Sequence, residues 1–154
     1  MTGITYGLEE PIQFSIASKR YLKSAPLMIV IGEVVGVLGY ALLCDHYAFR
    51  GVPILQAVMA IVTFAVAEEM LFRGMIQRQA ARVVHPIVAA VLAAALYTTI
   101  FIGHTSALNT SFALVAGTVL SVVYYFKPHV LLTTTANIVM KLSYFGLIAT
   151  FILR

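Results

Sequence analysis

Five apolar stretches, each approaching the roughly 20 residues that a helix needs to cross a bilayer, run through this chain. They cover about residues 25–44, 53–72, 86–103, 109–126 and 130–153. Breaker clusters separate them: Gly51, Val52 and Pro53; His85 and Pro86; Lys127, Pro128 and His129. Only helices and closed barrels satisfy their backbone in lipid, and stretches of this length specify helices. Of the 154 residues, 61% are hydrophobic and 10% charged, against about 25% charged in soluble domains. Such a composition cannot coat a water-facing surface, so most of the exterior must face lipid. The expected fold is all-α, a polytopic transmembrane bundle of about five spans, with residues 1–24 as an amphiphilic lead-in and 25–154 as one domain.

The lead-in does not resemble a cleavable signal, because it lacks a basic start followed by an apolar core and Glu9, Glu10 and Pro11 interrupt it. The single cysteine, Cys44, excludes an intrachain disulfide. The net charge of +4 reports loop topology and not nucleic-acid binding. Lys19, Arg20 and Lys23 precede the first stretch, Arg73, Arg78 and Arg82 follow the second, and Lys127 follows the fourth. All seven share one side, and Arg50 and Arg154 fall on the other. The positive-inside rule then places the N-terminus in the cytoplasm, with the chain in a cytoplasmic membrane of prokaryotic type. Segment 73–85 spaces Arg among apolar residues at helical intervals and is expected to extend the second span along the interface or to serve as a basic connector.

Four ionisable side chains fall within the apolar stretches: Glu33, Glu68, Glu69 and Lys141. Each costs about 2.5–3.5 kcal/mol at a helix centre, so each calls for a partner or a function. Adjacent carboxylates are the costliest case, since they also repel. Glu68 and Glu69 point about 100° apart. Arg73 stands four residues after Glu69, the spacing of a helical ion pair. That pair would leave Glu68 facing a cavity, where a carboxylate can take up and return a proton. An ion-paired helix end near the headgroups is the alternative. Glu33 is expected to pair with Lys141, and Gly32, Gly36 and Gly39 to form a close-packing face.

The stretch Ala67 to Gly74 reads AEEMLFRG. It resembles the EExxxR motif of the CAAX-protease and bacteriocin-processing family, intramembrane glutamate-dependent peptidases. That family's second motif, FxxxH, is matched in part by Ile100 to His104: the histidine is present, Ile100 holds the aromatic position, and Phe101 comes one place late. Of the third motif, HxxxN, Asn137 is present and Thr133 stands where the histidine would be. The resemblance covers about residues 53–145, as a four-helix catalytic core preceded by one added span, and the small size also resembles the myxosortase-like sorting proteases.

The resemblance implies an endopeptidase acting near the tail or leader of a membrane-anchored or lipid-modified protein. In it Glu68 would activate water with His104, Glu69 and Arg73 would orient the site, and Asn137, assisted by Thr133, would donate to the oxyanion. No cofactor or metal is implied. Glu68, Glu69 and His104 are a conceivable zinc set, without an HExxH motif to support it. His104 as a plain loop residue and Asn137 as helix–helix glue are the bland alternatives, and His46, His85 and His129 are read as solvated loop residues. Two rival functions remain: a non-catalytic binding or immunity protein of the same fold, and a small ion-translocating protein using Glu33 and Lys141. A simple hairpin drawing also sets Glu68 and His104 about 20 Å or more apart. They meet only if the second helix runs on far enough to bring Glu68 deeper, or if the third is displaced.

Overall fold

Each apolar stretch forms a helix in the computed structural model, which describes residues 19–43, 53–103 and 107–145. The helices are α1 (Lys19–Leu43), α2 (Ile54–Val83), α3 (Pro86–Thr99), α4 (Ala107–Phe126) and α5 (Val130–Tyr144). No strand occurs among the described residues. Windows in α1, α2 and α4 are long and apolar enough to cross a membrane, and α3 is a shorter apolar helix. The exterior fits lipid and not water: Leu55, Phe64, Val91 and Phe126 point outward, while charged side chains lie inside. The chain is an integral membrane protein with a helical bundle fold.

The second helix departs from expectation. It does not leave the bundle at Phe72 for the interface but continues unbroken to Val83, 30 residues in all. At 1.5 Å per residue it is about 45 Å long. Within it, Met70–Gln77 is wound as a π-helix. Residues four apart on an α-helix are offset by about 40°, and the wider i→i+5 turn takes up that offset. Glu69, Arg73 and Gln77 therefore fall nearly in line, and all three are buried. Arg73 is thus an interior residue and not an interfacial one. In the rest of the segment Met75 faces outward, and the residues from Arg78 on lie toward the periphery.

Helix α5 is central. Its Leu132, Ala136 and Met140 pack with Met28 of α1 and with Ala116 and Leu120 of α4. Helices α1 and α5 run parallel and very close. A Cβ on Gly32 would meet the Ala136 carbonyl, and one on Gly36 would meet the Met140 carbonyl and the Ser143 side chain. The expected small-residue face is therefore used. Helix α3 presents Ala89, Ala90, Ala93 and Ala94 inward and packs on α4. It starts with Pro86 at its first turn, capped by the His85 imidazole accepting from the Ile87 N–H at 3.3 Å. Phe72, Tyr97 and Ala113 form a second cluster with Ile76 and Phe101. At one end, Lys127 Nζ donates to Ser24 Oγ at 2.7 Å, joining the start of α1 to the end of α4.

Two expectations about side chains are corrected. Glu33 does not pair with Lys141. It accepts a hydrogen bond from Ser143 Oγ at 2.7 Å, and Lys141 turns to Glu68 instead. His129 is not solvated but 5% exposed, and burial holds its imidazole below the ordinary histidine range. His85 is exposed, and His46 lies outside the described residues.

Candidate active site

Glu68 and Glu69 sit at the middle of α2, and their divergence gives them different surroundings. Glu69 is fully buried, with Oε1 3.3 Å from Nη1 of Arg73, itself fully buried. This is the pair that the i,i+4 spacing predicts. Arg73 is held from two further sides. Its Nη2 donates to the Gly117 carbonyl of α4 at 2.9 Å, and its guanidinium lies 5.0 Å from the Tyr97 ring centroid, a cation–π contact. Gly117 has no side chain to obstruct this, since a Cβ there would crowd Tyr97. One turn on, Gln77 Nε2 donates to the Ser121 carbonyl at 3.0 Å. The line Glu69, Arg73, Gln77 is thus bolted to α4 at two carbonyls one turn apart.

Glu68 faces α3 and α5. Its Oε1 is 2.7 Å from Lys141 Nζ, the side chains being 15% and 16% exposed. Its Oε2 accepts from Asn137 Nδ2 at 3.1 Å and, at 3.5 Å, from the Tyr97 hydroxyl. The same Nδ2 donates to Glu69 Oε1 at 3.0 Å. Asn137 therefore spans both acids and uses both N–H groups to hold two like charges side by side. Thr133, one turn before Asn137, is fully buried and donates to the Val130 carbonyl at 2.9 Å, with its hydroxyl beside Glu69. Two acids and two bases meet here, each acid paired with one base, which is the condition under which charges persist away from water.

Of the five residues proposed from sequence, the structure brings together Glu68, Glu69, Arg73 and Asn137. His104 lies outside the described residues. What leads to it is described. The contact between Glu68 and Tyr97 sets the middle of α2 level with the end of α3, because Glu68 lies fifteen residues before Val83 and Tyr97 only eleven after Pro86. Phe101, in the turn after α3, packs on Tyr97 at 5.5 Å between centroids. The continuation of α2 thus brings Glu68 to the level of the turn at residues 100–103. Lys141 and Tyr97 are the site residues that the sequence reading missed. Lys141 is four residues after Asn137 and Tyr97 four before Phe101, spacings that put each pair on one helix face. Among the described residues no three of His, Cys, Asp and Glu cluster as metal ligands would. The zinc set includes His104 and lies partly beyond them.

Comparison with known proteins returns one family. Residues 49–143 match the model of the Rce1-like family, described as type II CAAX prenyl endopeptidase Rce1-like. No curated protein matches the chain, and no solved structure does.

Proposed function

Because the chain belongs to the Rce1-like family of type II CAAX prenyl endopeptidases, which are membrane proteases, we propose that it is a glutamate-dependent intramembrane endopeptidase with Glu68 as general base. The observation that carries the reading is the paired-acid site. Glu68 is the less enclosed of the two acids, and Asn137, which also bonds the buried Glu69–Arg73 pair, holds its carboxylate. Peptide hydrolysis needs a base for water, a group to return the proton and donors for the oxyanion. Glu68 supplies the first two in turn, with His104 as the second ligand of the water. Asn137 is a positioning residue for both acids. Helices α2 to α5 form the catalytic core, and α1 buttresses α5.

The substrate class is the lipid-modified or membrane-anchored tail of a protein, which would reach the site from within the bilayer. The protein resides in a prokaryotic cytoplasmic membrane with its N-terminus inside. The non-catalytic binding reading keeps one supporting observation, Thr133 in the place of the motif histidine. The ion-translocating reading takes Glu33 and Lys141 as pathway charges, and these are engaged separately, Glu33 by Ser143 and Lys141 by Glu68. The test is cleavage of a peptide ending in a prenylated cysteine motif by purified protein in lipid vesicles. Glu68→Gln and His104→Ala are expected to abolish product at unchanged protein level. Full cleavage by Glu68→Gln would remove the glutamate mechanism.

A further inference from the structure

Lys141 projects from α5 into the face of the site that Asn137 occupies one turn earlier, and its ammonium lies against Glu68. The site has two cations among the described residues. Arg73 is sealed, with Glu69, the Gly117 carbonyl and the Tyr97 ring around it and no exposed surface. Lys141 retains exposure comparable to that of Glu68. Both N–H groups of Asn137 are engaged by the carboxylates. A negative charge forming beside Glu68 on a substrate carbonyl oxygen would therefore find Lys141 as its nearest accessible cation among the described residues.

We propose that Lys141 is a catalytic residue, the counter-charge that passes from Glu68 to the oxyanion during hydrolysis. This rests on Glu68 being the general base. In the first step an O–H bond of water breaks and its proton goes to Glu68. The electron pair forms the C–O bond, and the carbonyl π pair moves onto oxygen. The negative charge has then shifted from the carboxylate to the carbonyl oxygen, and Lys141 turns an N–H from one to the other. The ammonium opposes one negative charge throughout, so no isolated charge arises where the dielectric is low. In the second step the oxyanion pair re-forms the carbonyl π bond, the C–N bond breaks and its electron pair leaves with nitrogen, and Glu68 gives its proton to the departing amine, which makes it a carboxylate facing Lys141 again. An arrangement of this kind needs no second imidazole, which accounts for a threonine at position 133.

The experiment is steady-state cleavage of a farnesylated peptide by wild type, Glu68→Gln, Lys141→Met and Lys141→Arg in vesicles, with unfolding temperatures measured alongside. Loss of an oxyanion donor typically lowers kcat by about 100- to 1,000-fold, and Lys141→Met is expected to show such a loss with KM little changed. Lys141→Arg, which keeps the charge, is expected to recover part of it. Should Lys141→Met fail to fold, Lys141→Gln, which keeps an N–H donor for Glu68 without a charge, decides by the same kcat criterion. Folded Lys141→Met or Lys141→Gln with wild-type kcat, while Glu68→Gln is inactive, would overturn the inference and leave the general base standing. Activity in Glu68→Gln, or no cleavage by wild type, would instead remove the general base and the inference with it.

Discussion

Arg73 shows how much one side chain is asked to do. It is fully enclosed, pairs with Glu69 and ties α2 to α4 through the Gly117 carbonyl. Removing one partner of a buried ion pair costs about 3–5 kcal/mol, because the other charge is stranded. Arg73→Met is expected to lower the unfolding temperature in detergent sharply, and Glu69→Gln with Arg73→Met to recover much of that loss. Equal destabilisation of the single and double variants would show that the carbonyl contact, not the ion pair, dominates. The Glu69–Arg73 contact was legible because both residues lie on one helix, where spacing alone fixes geometry. The partner of Lys141 was not, because the rotational phase of one helix against another is set by packing. Glu33 and Lys141 suit each other by charge, yet the close approach of Gly32 and Gly36 to α5 brings Ser143 to Glu33. Lys141 is left to the α2 side of its helix, where Glu68 waits.

At the scale of elements, the position of the site depends on two features, the length of α2 and the closeness of α1 to α5. Helix α1 bears on the stretch of α5 from Ala136 to Ser143, which carries Asn137 and Lys141. A methyl group on Gly36 would run into the Met140 backbone, and overpacking of this kind costs about 1–3 kcal/mol. Gly36→Ala is expected to lower both stability and peptide cleavage, while Val37→Ala, on the exposed side of α1, changes neither. Loss of stability without loss of cleavage would show that the two helices can part without disturbing the acids. The five helices could be read from apolar stretches and breakers, since those patterns follow from lipid as the solvent. The π-wound stretch Met70–Gln77 could not, because it answers to bonds with Gly117 and Ser121 on another helix. His129 was misread for a similar reason: its place in a connection suggested water, but although Lys127 and Pro128 are exposed, His129 itself is turned into the bundle.

For the molecule as a whole, helix directions in the structure and basic residues in the sequence agree. The start of α1 and the end of α4 meet through Ser24 and Lys127, the end where Arg78, near the end of α2, lies by Tyr124. If that end is cytoplasmic, as proposed, sequence order puts the lone cysteine, Cys44, next after α1, on the opposite side. An impermeant maleimide added outside intact cells is expected to label Cys44, and to leave unlabelled a Cys44→Ala variant carrying Lys127→Cys until the membrane is opened. The reverse pattern would invert the orientation. Glu68 and Glu69 each sit beside a base of their own, Lys141 and Arg73. A membrane at rest is a charged capacitor, exerting about 2.3 kcal/mol per elementary charge per 100 mV. Opposite charges 2.7 and 3.3 Å apart feel opposed pulls, so the voltage across the bilayer exerts little net force on either pair. The four paired ions of the site are therefore expected to keep their arrangement alike in energised and de-energised cells.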